Sequence, residues 1–165
     1  MNIAQAIMTL YTDAIPMENF VVRDDSDGRG QYIDEWHLPY PQPTTIELEQ
    51  SWFKFLKDAK LSELKVECEK AILNGFTSPN GNSYQFDYKD QDNLTQQMLF
   101  LISDPSITTI QWKTKEGVKS HTRDEFLAVC KDADGFKRTQ FGKFWALENK
   151  VTLALSEEEI NAITW

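Results

Sequence analysis

The sequence predicts an α+β fold: helices with two or three β-hairpins, and a long C-terminal helix. Three observations lead there. The stretch Leu61–Leu101 reads as helix, tight hairpin, helix. Two further stretches, around DDSDGRG and around Lys115-Glu116-Gly117, place β-type sequence on either side of turn-forming residues. From Thr122 to Val151, Phe126, Cys130, Phe141, Phe144, Leu147 and Val151 fall on a plausible common helical face.

In chain order, Ile3, Ala6, Ile7 and Leu10 recur at helical spacing and predict a short amphipathic helix ended by Ile15-Pro16. Phe20–Arg23 and Gln31–His37 flank the first turn-rich loop and should pair as a hairpin, with Tyr32 and Trp36 as its aromatic bulk. In Leu38-Pro39-Tyr40-Pro41-Gln42-Pro43, three prolines remove backbone donors and hold the chain extended, so the segment is neither helix nor central strand. It reads as a rigid connector. The expected organisation is an N-terminal helix and hairpin with connector, 1–43, and a helix/hairpin/helix domain, 44–165.

Thr44 with Glu47 forms a capping box, and Ile46, Leu48, Trp52, Phe55, Leu56 and Ala59 begin a helical pattern. That helix either continues to Asn74 or breaks near Lys60–Ser62, which would put a boundary there. Continuity is favoured because no Gly or Pro interrupts it. Leu61, Leu64, Cys68, Ala71 and Ile72 give its later face, and Asn74-Gly75 supplies the left-handed residue that ends it. Ser-Pro-Asn-Gly-Asn then centres a hairpin, with Tyr84, Phe86 and Tyr88 alternating after it. Asp90 or Asp92 can cap the next helix, whose face is Leu94, Met98, Leu101 and Ile102. Asp104-Pro105 ends it. A hairpin follows from Thr108 to His121, with Trp112 as its main core residue, and the capping box Thr122/Glu125 opens the long helix. Gly135 and Gly142 each cost that helix about 1 kcal/mol relative to Ala, so a kink at Asp134-Gly135 is the competing reading. Ser156 with Glu159 caps a last short helix.

Composition narrows the function. At 165 residues, 41% hydrophobic and 12% aromatic, the chain can build one core or two small abutting ones. With 26 acidic against 17 basic side chains the net charge is -9, which disfavours nucleic acid and anionic membrane as partners. The N-terminus lacks the pattern of a signal peptide, and no stretch approaches the roughly 20 apolar residues of a membrane span. Synthesis in the cytoplasm is the expectation. Cys68 and Cys130 sit on apolar helical stripes and read as core thiols.

Chemical motifs are weak. Asp24, Asp25, Asp27 and Gly28 invite a calcium reading, but with Asp24 as first ligand Arg29 falls where the loop needs Gly. An ordinary turn fits better, and Asp87, Asp90 and Asp92 likewise read as turn and cap residues. His37 and His121 have no partners at ligand spacing, and no nucleophile elbow or Gly-rich phosphate loop is present. We therefore expect no catalytic residue, no metal and no cofactor. What remains is a surplus of aromatics: Trp52, Phe53 and Phe55 spread around one helix, and Phe141, Phe144 and Trp145 around another. One narrow face cannot bury each set, so these six are the candidate protein interface, against a second copy or a partner.

The run QYIDEWHLPYPQPTTIELE, Gln31–Glu49, resembles small XkdW-like phage tail proteins. From about Leu64 to Trp165 the chain resembles a domain of uncharacterised function that recurs in phage tail-fibre and tail-assembly proteins. The matching stretches are ILNGF before a Tyr-rich hairpin, DQDNLTQQ opening a helix, IQWKTKEGVKSHT, and LSEEEINAITW. It departs from the commoner form in reading CEKAIL before the hairpin, without an Arg, and in carrying Gly135. The resemblance implies a non-enzymatic phage or prophage tail-region protein. Its partner would be a phage tail or tail-fibre protein, and it would act during assembly in the host cytoplasm or stay in the virion tail. The alternatives are a structural component of the tail tip, baseplate or fibre attachment, and, from another class, a hydrolase or metal-dependent enzyme.

Overall fold

The computed structural model describes residues 1–165. It has five helices and three separate two-stranded antiparallel sheets. The chain forms two compact units, Met1–Ser62 with Lys150–Thr164, and Glu63–Asn149 with Trp165.

In the first unit, α1 (Ile3–Leu10) is capped by Asn2, whose side chain accepts from the Gln5 N–H at 3.0 Å. Ile3, Ala6 and Ile7 are buried, while the fourth predicted face residue, Leu10, is exposed. Strands β1 (Phe20–Arg23) and β2 (Tyr32–Trp36) form the predicted hairpin, with an irregularity between Val21 and Val22. Ile7, Phe20, Leu38 and Leu48 meet in its core. The proline segment belongs to this packing: Tyr40 stacks on Tyr11 at 5.1 Å, and the Trp36 indole N–H donates to the Tyr40 carbonyl at 2.7 Å. The Ser51 hydroxyl donates to the Ala6 carbonyl at 2.7 Å, so a buried polar group is satisfied. The short helix α5 (Glu157–Asn161) is capped by Ser156 as predicted.

The helix α2 (Thr45–Leu73) runs unbroken for 29 residues, and the boundary between units, Ser62/Glu63, falls inside it. The helix does not break at Lys60–Ser62, and the boundary needs no break. The Thr44/Glu47 box opens the helix, with the Thr44 N–H donating to the Glu47 carboxylate at 2.8 Å.

In the second unit, Leu64, Cys68 and Ile72 bury the later face of α2, and Gly75 at φ +89° turns the chain. Strands β3 (Phe76–Thr77) and β4 (Ser83–Tyr84) form the central hairpin, with Gly81 at φ +86° in its turn. Helix α3 (Tyr88–Ser103) is capped by Asp87, with Asp90 completing a capping box. That corrects the expected cap at Asp90 or Asp92: Asp90 is the third helical residue and bonds back to the Asp87 N–H at 3.2 Å. Leu94 and Leu101 are buried and Met98 packs on the core, but Ile102 is 61% exposed. At 100° per residue Ile102 stands about 80° from Leu94, whereas Leu101 is within about 20° of it.

The third hairpin pairs β5 (Thr109–Thr114) with β6 (Gly117–Thr122). Trp112 is only half-buried, its ring edge-on to Phe126 at 4.8 Å; Ile110 and Thr114 are the buried residues of its strand. Helix α4 (Arg123–Leu153) is continuous for 31 residues through Gly135 and Gly142, with no break at Asp134-Gly135. The core gathers Phe76, Tyr84, Phe86, Leu101, Phe126 and Val129 around a polar chain whose inner members, Tyr84 and His121, are buried. The Asn80 amide donates to the Tyr84 hydroxyl at 2.9 Å, which lies 2.8 Å from His121 Nε2. His121 Nδ1 is 3.3 Å from the Lys119 carbonyl, which can only accept, so in the neutral ring Nδ1 carries the proton and Tyr84 donates to Nε2.

Candidate protein interface

The predicted aromatic sets part company in the structure. In the first unit Trp52, Phe53 and Phe55 are all half-buried. Trp52 packs on the core, stacks on Phe55 at 5.4 Å, and its indole N–H donates to Glu157 at 3.3 Å. Phe53 carries the Lys57 ammonium 4.7 Å from its ring centre. Each of these rings already has a contact within its own unit.

The second set lines a groove of about 430 Å³ in the second unit. Lys137, Phe141, Phe144 and Trp145 follow at i, i+4, i+7 and i+8, which puts them on one face of α4. Lys65, Cys68, Glu69 and Ile72 do the same on α2, and Tyr88 and Gln91 close the groove from the start of α3. Phe144 packs down on the core. Phe141, 36% exposed, and Trp145, 62% exposed, stack on each other at 6.1 Å with rings 16° apart. Two large aromatic faces therefore stand open in the groove.

Sequence reasoning missed Tyr88. It was expected on the hairpin's buried face, but Asp87 ends the extended run, so Tyr88 is the first residue of α3 and is 62% exposed. Its hydroxyl donates to the Glu69 carboxylate, which raises the Tyr88 pKa above its ordinary value. The Lys137 ammonium donates to the Gln91 amide at 2.6 Å, and neither Lys137 nor Lys65 has a carboxylate partner. The groove thus carries two ammonium groups against the one carboxylate of Glu69, on a chain of net charge -9.

Elsewhere the candidate chemistry resolves into local structure. The Asp24 carboxylate accepts from the Ser26 N–H at 2.9 Å, and Asp27 accepts from the Arg29 N–H at 3.0 Å and from its guanidinium, the contact that lowers the Asp27 pKa. No group of three His, Cys, Asp or Glu side chains is placed to hold a metal ion. Cys68 and Cys130 are free and buried, and desolvation pushes the Cys130 thiol up to about 11. No helix is long and apolar enough to cross a membrane.

Residues 55–164 match the family described as Domain of unknown function (DUF4376), well over half of the chain. The chain belongs to that family. Residues 3–60 match the XkdW protein family, and the two matches meet within α2, next to the boundary between units. Among similar proteins, the uncharacterized protein YqcD of Bacillus subtilis (strain 168) is 36% identical over 69 residues, 42% of this chain and 61% of YqcD. The phage-like element PBSX protein XkdW of the same organism is 40% identical over 58 residues, 35% of this chain and 51% of XkdW. The chain thus spans little more than half the length of these relatives. A solution NMR structure of phage-like element PBSX protein XkdW is 40% identical and covers 34% of this chain and 92% of that one, with a TM-score of 0.30. The name of the XkdW relative places that protein in a phage-like element, and neither relative's name assigns an activity.

Proposed function

We propose that the protein is a non-enzymatic phage tail assembly factor that works by gripping a tail or tail-fibre protein in the groove between α2, α3 and α4. The observation that carries this reading is the open Phe141–Trp145 stack beside Tyr88. Aromatic rings left exposed together act as anchors, because they bury much area while losing few rotamers. An apolar floor whose two ammonium groups, Lys65 and Lys137, outnumber the single carboxylate of Glu69 suits a partner segment that brings large apolar side chains and acidic flanks. The chain's acidity supports an assembly role, since net charge of one sign keeps a small protein from self-association. A phage-like element protein among the relatives supports the phage setting.

The test is co-expression with the tail-fibre protein of the same phage genome and affinity capture. Trp145→Asp removes an exposed anchor, should keep the circular dichroism of the parent, and should weaken capture by about 30-fold, as loss of a roughly 2 kcal/mol hot spot does. Phe53→Asp should leave capture intact. Full capture by a folded Trp145→Asp protein would remove the groove from consideration. Mass spectrometry of purified virions separates the assembly role from the alternative of a structural tail-tip, baseplate or fibre-attachment component, which would be present in the particle.

A further inference from the structure

A second concavity in the Glu63–Asn149 unit has different chemistry. It lies between α3 and β5 and encloses about 420 Å³, within the range of small-ligand sites, about 300–1,000 Å³. Asp90, Asn93, Gln97 and Phe100 follow at i, i+3, i+7 and i+10 and run about 15 Å along one face of α3. Gln96 stands beside them, and Gln85, Trp112 and Lys113 form the rest of the lining. Four primary amides thus meet in one cleft, and none of their side chains hydrogen-bonds to another group of the protein. The Trp112 indole N–H is likewise unused, and Phe100 is 62% exposed. Single amides on a helix are ordinary solvated surface. Four of them converging with two aromatic rings are a more particular arrangement.

We propose that this cleft binds a neutral oligosaccharide. A carboxamide offers one acceptor oxygen and two donor hydrogens, and a pair of neighbouring sugar hydroxyls offers the complementary acceptor and donor. Each of Gln85, Asn93, Gln96 and Gln97 can engage such a pair, while the C–H face of a sugar ring lies on Phe100 or Trp112. Asp90 and Lys113 carry opposite charges, so the cleft has no net charge with which to select an ionic ligand. A purely apolar ligand would strip water from four amides and return no hydrogen bonds. A site about 15 Å long is better filled by a short oligosaccharide than by a single sugar. This inference does not depend on the partner-binding groove.

The test is a two-dimensional nitrogen-15 NMR titration of the full chain with maltotriose, raffinose and triacetylchitotriose, using trigalacturonate as the charged comparator. At least one neutral trisaccharide should give saturable shifts in α3 amides, in the side-chain NH₂ signals of Asn93, Gln96 and Gln97, and in the Trp112 indole signal. Phe100→Ala and Gln97→Ala, both outside the core, should each weaken binding about three- to tenfold. Phe141→Ala should leave it unchanged. The proposal is overturned if no neutral trisaccharide gives a saturable response, if trigalacturonate binds equally well, if neither substitution in the cleft weakens binding, or if the cleft signals respond only to a captured protein partner.

Discussion

Gly75→Ala puts the most direct strain on the fold. Gly75 sits at φ +89°, and a Cβ there would lie 2.2 Å from the Tyr84 carbonyl oxygen and 3.3 Å from its carbon. Gly81, in the turn of the same hairpin, has nearly the same backbone conformation, φ +86°, but nothing within 4 Å. The left-handed conformation alone costs a residue with a side chain about 1 kcal/mol. The Tyr84 carbonyl cannot swing away cheaply, because its ring is buried and its hydroxyl is held between Asn80 and His121. Forcing an extra carbon into a packed site costs about 1–3 kcal/mol, so Gly75→Ala should cost about 2–4 kcal/mol and Gly81→Ala about 1 kcal/mol. Urea unfolding followed at the His121 ring signal reads the Glu63–Asn149 unit directly, and the ΔG values at matched m give the comparison. Equal losses for the two variants would mean that the clash at Gly75 is absent and the derivation wrong.

Gly135 and Gly142 are exposed in mid-helix with no atom within 4 Å of an added Cβ, so Gly135→Ala and Gly142→Ala should each raise stability by about 0.5–1 kcal/mol, read as a higher urea midpoint. A loss in either would show that α4 needs the glycine. Hydrogen bonds from Thr44 and Thr122 hold the Glu47 and Glu125 carboxyls below their ordinary value. Their folded pKa values are depressed, so their contribution is complete above the ordinary 4.5 and is lost as pH falls through the lower folded values. Glu47→Gln and Glu125→Gln should flatten the acid limb of a stability–pH curve measured from pH 6 downward, and an unchanged slope would refute it.

Helix starts were the most legible part of the fold because capping chemistry is local. Thr44/Glu47, Thr122/Glu125 and Ser156/Glu159 each needed four residues to be read, and each forms. The α3 start is less legible, since Asp87, Asp90 and Asp92 are chemically equivalent and only the end of the preceding extended run selects Asp87. The boundary inside α2 left no mark of its own, because a helix that changes neighbours at Ser62 needs no Gly, Pro or cap there. Among the candidate interface residues, spacing placed Phe141, Phe144 and Trp145 on one face. Their exposure depends on how much of that face α2 and α3 cover, which is a tertiary fact. DQDNLTQQ reads as a helix opening, and its amides have a second meaning only where β5 supplies Trp112 across from them.

The two concavities of the second unit share α3, and that constrains what the helix must be. Leu94 and Leu101 hold it to the core, Tyr88 and Gln91 face the aromatic groove, and Asp90, Asn93, Gln97 and Phe100 face the amide cleft. A helix that only covered a core would leave its remaining faces free to vary between Lys, Glu and Gln. Here the outer surface is divided instead, with Tyr88 tied to Glu69 and Gln91 tied to Lys137 on one side, and unpaired amides on the other. The division makes the two binding proposals separable. Trp145→Asp should weaken partner capture and spare the sugar-dependent shifts, while Gln97→Ala should weaken sugar binding and spare capture. If either variant disturbs both, α3 couples the two surfaces, and ligand in the cleft becomes a means of changing the grip of the groove.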